Sequence, residues 1–403
     1  MKIVHGAISG DSHVQLDRDA FTSRMSKAKF GDRIPHVIET TDQALMYKPL
    51  DYAVERWVVN GKVVDKRWPA NCPAAMNDAT RSLGAQRWED VPRGVYDPIA
   101  RLEFLDRDGV DAEVLYPNPP VQNATFFQGD AELELACVQA YNDAVGDWRR
   151  ASERYIPLAL IPYLSGIDAT VAEIQRAAKT GHKGILMVVE PSLAIQDKYD
   201  VLGLAGINAG LKGLPHFCHP YWDRVWAAAQ DCELPIHWHA NGGISLRGPA
   251  WKGYSFSEES VSFVPGAFCL PTQFLPNLMF SGVLERYPRL KWVWAEIGIG
   301  WIQYVLDACD HEWERRHLWT EGLPSRPSEL FKRQIYSMFW FEQAGVDLRS
   351  AFGAGNLMWQ SDFPHSTSTY PDSHKFIEQC MEGVNADERR QLMFQNAVDL
   401  YNL

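Results

Sequence analysis

The fold that this sequence predicts is α/β, a TIM-like (β/α)₈ barrel formed by the whole chain, residues 1–403, as one domain. Short apolar runs rich in β-branched and aromatic residues recur along the chain, helical patterns lie between them, and polar residues stand where the runs end. Near-continuous apolar runs separated by helices are typical of parallel strands buried on both faces. Eight such units favour a closed barrel over an open sheet, and one barrel can use a chain of this length.

Eight runs are predicted to be the barrel strands: residues 5–13, 111–117, 155–162, 182–190, 234–240, 290–296, 334–341 and 356–362. Among the helical patterns between them are residues 131–153, 166–181, 220–232 and 298–316. No internal repeat or low-complexity linker divides the sequence, which also favours a single domain.

One large insertion interrupts the pattern after the first strand, at about residues 14–95, where few strand patterns stand out. A second irregular stretch, residues 239–260, follows the fifth strand and has the Gly and Ser content of a loop. Loops that follow the strands of such a barrel lie at its C-terminal mouth. We therefore expect both stretches to border the site and to favour an aromatic or extended apolar substrate through Trp57, Trp68, Trp88, Trp251 and Tyr254.

The composition narrows the class of protein. The formal net charge is -12 and the pI is near 5.5, which argues against a nucleic-acid partner and against binding to an anionic membrane. The 7 cysteines include no C-x-x-C pair, which indicates reduced thiols in the cytoplasm and not a thiolate zinc site. No run approaches the roughly 18 apolar residues that a membrane helix needs, and the N-terminus lacks the apolar run of a signal peptide. These features predict a soluble cytoplasmic protein.

Polar side chains stand at the C-terminal ends of several predicted strands. They are Asp11, His13, Asn118, His237, His239, Glu296, Asp362 and His365. The carboxyl ends of barrel strands meet at one rim, and residues two apart on a strand share a face, so we expect these side chains to converge. Imidazole and carboxylate ligands without thiolates suit Zn²⁺, Mn²⁺ or Fe²⁺. The joint pattern predicts one divalent metal ion.

Each of these features alone has a simpler interpretation. Asp362 could cap a helix beginning at Phe363 or Pro364. Glu296 could pair with an Arg or cap a helix near Gly298. The 15 tryptophans, several of them near the strand ends, indicate either an aromatic-lined pocket or a bulky core.

Five segments together resemble the amidohydrolase-related family, which includes aminocarboxymuconate-semialdehyde decarboxylase and the hydroxybenzoate decarboxylases. The segments are GDSHV (10–14), RLEFLDRDGVDAEVLYPN (101–118), WDRVWAAAQDCELPIHWHANG (222–242), WAEIGIGWI (294–302) and LMWQSDFPHSTSTYPDS (357–373). The resemblance implies a barrel of the metal-dependent hydrolase type, with one divalent ion held at positions that are here Asp11, His13, His239 and Asp362. His239 is preferred to His237 because the family's ligand falls four residues after the Pro that opens strand 5, here Pro235.

Two departures from the family pattern bear on the chemistry. The first strand has Asp-x-His where the family usually has His-x-His or Glu-x-His, and an oxygen ligand favours Mn²⁺ somewhat over Zn²⁺. Position 296 is Glu where the decarboxylases often have a His that activates water or protonates the substrate. A carboxyl group can protonate carbon at neutral pH only where burial raises its pKa, and the surrounding sequence, WVWAEIGIGW, is apolar.

The residues leave more than one reaction open. The leading hypothesis is non-oxidative decarboxylation of an aromatic or enol-like carboxylic acid, with the ion as template and Lewis acid. The alternative is hydrolysis or hydration by a metal-bound water with Asp362 as the base; a metal-free barrel used for binding is the third. The candidate catalytic residues are Asp362, Glu296 and His365, and the candidate substrate contacts are Asn118, His237 and Trp359. The expected partner is a small carboxylic acid or aromatic molecule, and a homodimer is compatible with the family.

Overall fold

A computed structural model describes residues 1–41, 53–64, 69–76, 84–121, 130–187, 191, 214–240, 265–266, 268–269, 272 and 274–403 of the chain. Several features predicted above lie outside these ranges: Trp68, Trp251, Tyr254 and most of residues 239–260.

Within the described ranges, the eight predicted runs form eight parallel strands that neighbour one another in chain order. Strands are numbered along the chain, and β2 to β4 belong to the insertion described below. The barrel strands are β1 (Ile8–Val14), β5 (Ala112–Pro117), β6 (Tyr155–Leu160), β7 (Gly184–Leu186), β8 (Ile236–His239), β9 (Trp292–Ala295), β10 (Ile335–Phe339) and β11 (Leu357–Trp359). Nearly every residue of these strands is buried, as expected for a parallel sheet covered on both faces. The predicted (β/α)₈ barrel is confirmed.

The sheet closes on itself between β11 and β1. The backbone N–H of Asp362 donates to the carbonyl of Asp11 at 3.0 Å, and the N–H of His13 donates to the carbonyl of Phe363 at 2.6 Å. Across the same seam, the Ser361 hydroxyl lies 3.0 Å from that of Ser9 and 3.1 Å from that of Ser12. This seam joins two of the candidate metal ligands through the backbone.

Helices surround the barrel. They are α1 (Lys27–Phe30), α2 (Ala100–Asp108), α3 (Ala131–Ala151), α4 (Ile167–Lys179), α5 (Asp223–Asp231), α6 (Phe274–Phe280), α7 (Val283–Arg286), α8 (Ile302–Arg315), α9 (Pro327–Gln334), α10 (Gln343–Asp347), α11 (Arg349–Phe352), α12 (Ser373–Cys380), α13 (Ala386–Arg390) and α14 (Asn396–Tyr401). The four predicted helical patterns correspond to α3, α4, α5 and α8. None of the helices in the described ranges is long and apolar enough to cross a membrane.

The insertion after β1 contains a small sheet that the sequence analysis did not expect. In its described part, β2 (His36–Thr40), β3 (Val54–Val59) and β4 (Lys62–Val63) pair antiparallel in that order. The backbone N–H of Ala74 donates to the carbonyl of Pro364, just beyond β11, at 3.1 Å. This contact brings the insertion to the C-terminal mouth of the barrel. The assignment of residues 1–403 to one domain stays a prediction.

The tryptophans near the strand ends mainly form core. Trp222, Trp238, Trp294, Trp340 and Trp359 are each exposed by 2% or less. Trp238 stacks on Trp294 and on Phe274 of α6, with both pairs of ring centroids 6.2 Å apart. Because side chains alternate along a strand, Trp238 faces the helices while its two histidine neighbours face the barrel interior. For these tryptophans the structure favours the bulky core over the pocket.

Candidate metal centre and active site

The two site residues of the first strand point to the same place. His13 Nε2 lies 3.5 Å from Asp11 Oδ1. His13 Nδ1 lies 3.3 Å from the carbonyl oxygen of Pro117, the last residue of β5, which orients the ring with Nε2 toward the carboxylate. Both side chains are buried. The juxtaposition predicted from the strand period is therefore present, although β1 changes register between Ser9 and Ser12.

The other two predicted ligands converge on the same point. The Nε2 atoms of His13 and His239 are 3.0 Å apart. Asp11 Oδ2 lies 3.5 Å from His239 Nε2, and Asp362 Oδ1 lies 3.4 Å from His13 Nε2. Because β8 stands across the barrel from the seam between β1 and β11, these side chains approach one another over the mouth of the barrel.

Glu296 brings a third carboxyl group to this cluster. Its Oε2 lies 3.5 Å from His239 Nε2. The Glu296 side chain is 13% exposed, whereas the side chains of Asp11 and Asp362 are 0% exposed. Among these three carboxyl groups, Glu296 is the one with surface open to a substrate.

The simpler interpretations of Glu296 do not match the structure. Helix α8 begins at Ile302 and not near Gly298, and the ion-pair partner of Glu296 among the described residues is His239, not an Arg. The backbone of Glu296 is left-handed, with φ of 55°. Such a conformation is uncommon outside glycine and often marks functional sites.

His365 and Asn118 lie beside Asp362. His365 Nδ1 is 3.0 Å from Asp362 Oδ1, and His365 Nε2 is 2.9 Å from Asn118 Oδ1. The His365 ring also stacks on that of His13, with centroids 3.7 Å apart, and Asn118 Nδ2 donates to the carbonyl of Asn71 at 3.4 Å. Asp362 does not cap a helix: a turn follows it, in which the N–H of His365 donates to the Asp362 carbonyl. His365 and Asn118 thus form the surroundings of Asp362.

Burial and repulsion from His365 lower the pKa of His13 to about 4. Burial opposes charge on Asp362 as well, but His365 and His13 outweigh it and hold the pKa of Asp362 well below its usual range. The pair therefore favours neutral imidazole at His13 and ionised carboxylate at Asp362, which are the forms that bind metal.

Negative charge surrounds His239. Burial opposes protonation of its ring, but the carboxylates outweigh burial, Asp11 most strongly, and raise the pKa of His239 to about 9. Burial and repulsion from Asp362 raise the pKa of Glu296 well above its usual range. Without a bound cation, the repulsion between these carboxylates therefore makes it unfavourable for all of them to be ionised together.

A divalent cation fits this donor set. Both carboxylate oxygens of Asp11 are buried and have no hydrogen-bond partner within the described ranges. Buried carboxylates need a paired charge or a metal ion. Donor atoms about 2.1 Å from one ion lie roughly 3.0 to 3.4 Å from each other. His13 Nε2 lies at a similar 3.0 to 3.5 Å from donor atoms of Asp11, His239 and Asp362, and His239 Nε2 lies 3.5 Å from Asp11 Oδ2. Two groups of side chains that share His13 have donor atoms close enough to bind one ion. The first is Asp11, His13 and His239, and the second is His13, Asp362 and His365.

Two predicted substrate contacts lie away from the open side of the site. His237 is fully buried below His239, with Nε2 2.9 Å from the Tyr401 hydroxyl and Nδ1 3.1 Å from the Pro235 carbonyl. Trp359 is also fully buried. Both side chains are therefore core residues in this structure, and their burial does not support a substrate contact for either.

Gln360 and Glu342 support the site, although the sequence analysis did not select them. Gln360 Oε1 accepts a hydrogen bond from the backbone N–H of Glu296 at 3.0 Å. Glu342 Oε1 accepts from the N–H of Ile299 at 2.9 Å, which holds the loop after β9. Gln360 could have been predicted from the sequence, because residues two apart on a strand share a face and Gln360 stands two residues before Asp362. Nothing in the local sequence marks Glu342.

Two further side chains hold the segment that carries Asp362. The Thr367 hydroxyl donates to Asp362 Oδ2. The Arg101 guanidinium lies 4.1 Å from the ring centre of Phe363 and forms a buried ion pair with Glu113 at 2.8 Å. Arg101 lies in one of the segments that carry the family resemblance, whereas nothing in the sequence pattern marks Thr367.

The fold and the site together define an α/β barrel with a candidate divalent-metal centre at its C-terminal mouth, the face at which barrel enzymes carry their active sites. The family can be stated as well. Residues 44–403 match the sequence model of the amidohydrolase family, and the chain belongs to that family.

Similar proteins include decarboxylases. Gamma-resorcylate decarboxylase from Polaromonas sp. strain JS666 is 21% identical over 370 residues, which cover 86% of this chain and 99% of that protein. An amidohydrolase structure from Mycobacterium avium subsp. paratuberculosis K-10 has a TM-score of 0.74 at 19% identity and covers 98% of each chain. A dihydroxybenzoic acid decarboxylase structure from Polaromonas sp. JS666, with bound manganese and the inhibitor 2-nitroresorcinol, has a TM-score of 0.59 at 18% identity and covers 99% of this chain and 98% of that one. At these identities the structural likeness shows a shared fold.

Proposed function

We propose that this protein is a metal-dependent decarboxylase that releases CO₂ from an aromatic or enol-like carboxylic acid. The observation that carries the proposal is the position of Glu296, which lies beside the candidate metal ligands and is partly exposed at the mouth of the barrel. The decarboxylase names of the similar proteins support the same reaction class.

Four side chains would hold the ion: Asp11, His13, His239 and Asp362. Bound there, a divalent ion would supply a template and Lewis acid for the substrate carboxylate and a neighbouring oxygen. His365 would keep Asp362 oriented, because its Nδ1 lies against the Asp362 carboxylate and its Nε2 is held by Asn118.

Glu296 would supply the proton. The bond between the carboxylate carbon and the ring or chain carbon breaks, and CO₂ leaves. The proton from the Glu296 carboxyl group forms the new C–H bond at that carbon with the electron pair of the broken bond. The Glu296 carboxylate then regains a proton from water through its exposed edge, so that the cycle consumes no oxidant or reductant.

Hydrolysis or hydration is the second candidate, since a carboxylate-rich metal site can also activate water. That reaction needs a carboxylate with a free oxygen to accept a proton, the role predicted for Asp362. In the structure, Asp362 Oδ1 is directed toward His13 and the other candidate metal ligands, and Oδ2, the oxygen that would remain to act as a base, accepts a hydrogen bond from the Thr367 hydroxyl. This arrangement favours decarboxylation.

The small carboxylic acid partner, the cytoplasmic location and the homodimer belong to the same proposal. The net charge of -12 opposes association with nucleic acids and with anionic membranes. The described residues include no helix that could cross a membrane.

Elemental analysis of the purified protein is the first test. We expect about one Zn, Mn or Fe per chain, and we expect Asp362→Asn and His239→Ala to lose it. The matched controls Asp307→Asn and His317→Ala, on the exposed side of α8 and just beyond its end, should keep it. The metal-loaded parent is then assayed for CO₂ release from a series of hydroxybenzoates.

The possible outcomes separate the parts of the proposal. A parent without metal after growth in supplemented medium would exclude both the decarboxylase and the hydrolase and leave a barrel used for binding. A parent with metal that releases no CO₂ from any hydroxybenzoate would retain the metal centre and contradict the proposed substrate class.

A further inference from the structure

The two oxygens of Asp362 have different surroundings. Oδ1 lies 3.4 Å from His13 Nε2 and 3.0 Å from His365 Nδ1, on the side of the candidate metal ligands. Oδ2 accepts a hydrogen bond from the hydroxyl of Thr367, in the turn that follows β11. A carboxylate held in this way presents one oxygen to the ligand cluster, while the Thr367 hydroxyl binds the other.

The backbone at Asp362 is also constrained. Its φ is 56°, in the left-handed region, and its N–H donates to the carbonyl of Asp11 at 3.0 Å. Residues other than glycine keep this conformation where the surrounding structure enforces it, and such positions cluster at functional sites. Backbone and side chain of Asp362 are therefore fixed by separate contacts, from β1 and from Thr367.

We propose that Thr367 is a positioning residue for the metal centre, whose hydroxyl holds Oδ2 of Asp362 so that Oδ1 alone faces the ion. The inference rests on the proposed metal site and deepens the proposed function. With Oδ2 occupied, Asp362 acts as a single-oxygen ligand and not as a base toward water, and proton transfer is assigned to Glu296.

The size of the expected effect follows from comparable sites. Hydrogen bonds that orient metal-ligating side chains change metal affinity or activity by about 10- to 100-fold when they are removed. Thr367→Val removes the hydroxyl and keeps the shape of the side chain, whereas Thr367→Ser keeps the hydroxyl.

Thr369→Val is the matched control. Thr369 lies two residues further along the same turn, is buried, and bonds through its hydroxyl to Ser373 Oγ at 2.7 Å, at the start of α12. The same substitution there removes a buried hydroxyl bond without touching Asp362. It therefore separates a general loosening of the turn from a specific effect on the metal ligand.

The test is a titration of the metal-free protein with Mn²⁺, in which free Mn²⁺ is followed by electron paramagnetic resonance. We expect the Kd for Mn²⁺ to rise at least about 10-fold in Thr367→Val. It should stay close to that of the parent in Thr367→Ser and in Thr369→Val. Should the Val variant fail to fold, as judged by circular dichroism, Thr367→Ala carries the same expectation.

An unchanged Mn²⁺ affinity in Thr367→Val would overturn the proposal, and so would an equal loss in Thr369→Val. The titration needs no substrate, so a failure to find CO₂ release does not affect it. A parent that binds no Mn²⁺ would overturn this inference together with the metal site on which it rests, and the parent's own titration identifies that case.

Discussion

The proposed decarboxylation depends on one side chain, Glu296, as its proton donor. It shares the site with Asp11 and Asp362, but it is the one of these three carboxyl groups with exposed surface. Its backbone is held by Gln360 and its Oε2 lies 3.5 Å from His239 Nε2. A group so placed can meet both the substrate and the ligand cluster, and its role can be tested by an isosteric change.

We expect Glu296→Gln to bind metal as the parent does and to release CO₂ about 10²- to 10⁴-fold more slowly, the range for loss of a general acid or base. The amide keeps the shape of the side chain but cannot deliver the proton. The measurements are metal content and single-turnover CO₂ release on the same preparation. Loss of the metal in this variant would show Glu296 to be a ligand and contradict its role as proton donor.

The period of a strand predicts which residues face the site, but it does not predict their depth. It correctly placed Asp11 with His13, and it placed His237 and His239 on one face. It could not show that His237 lies a layer lower, against Tyr401, because depth depends on how the strands are staggered around the barrel. Thr367 was missed for a related reason, since its contact with Asp362 depends on the path of a turn.

At the scale of elements, the barrel strands were predictable because a strand buried on both faces must be apolar along its whole length. The sheet of the insertion was not, because its edge strand β2 is only partly buried and mixes His36 and Glu39 with apolar residues. The start of α8 was predicted too early. The loop before it is held by Glu342, more than forty positions along the chain, and such a contact leaves no local pattern.

The side chain of Asp111 holds the segment before β1. The carboxylate of Asp111 accepts hydrogen bonds from four successive backbone N–H groups, at 2.7 to 3.1 Å, in Val4, His5, Gly6 and Ala7. Burial alone would raise the pKa of Asp111, but these four bonds outweigh it and lower the pKa. This side chain anchors the entry to the strand that carries Asp11.

We expect Asp111→Asn to lower the free energy of unfolding by about 1 to 3 kcal/mol at pH 7, since an amide leaves part of the N–H set unpaired. Because the pKa is lowered in the folded state, this stabilisation is complete above the unfolded pKa of about 3.9 and is lost as the pH falls through and below it. The parent and the variant should therefore converge in acid.

Denaturant unfolding of both proteins at several pH values measures this difference. The control is Asp106→Asn, which breaks the ion pair of an exposed carboxylate with Arg154. Exposed pairs contribute about 0 to 1 kcal/mol. A difference between parent and Asp111→Asn that stays constant down to acid pH would contradict the assigned role of the charge.

At the scale of the whole molecule, the candidate ligands come from β1, from β8 and from the segment just after β11, so that residues far apart in sequence meet only in the folded barrel. An ion held by Asp11, His239 and Asp362 would join opposite sides of the barrel across its mouth. The unfolded chain has no such site. Metal binding should therefore stabilise the folded state by mass action, by about 2.7 kcal/mol at a free metal concentration 100 times Kd.

We therefore expect removal of the metal by a chelator to lower the thermal unfolding midpoint by a few degrees, and Mn²⁺ or Zn²⁺ to restore it. Asp362→Asn should melt at the same temperature with and without added metal, because it lacks one of the donors that join the strands. Differential scanning calorimetry of parent and variant, each with chelator and with Mn²⁺, gives the four midpoints. Equal metal-dependent shifts in parent and variant would show that the ion binds elsewhere on the protein, and no shift in the parent would exclude a metal that couples the strands of the barrel.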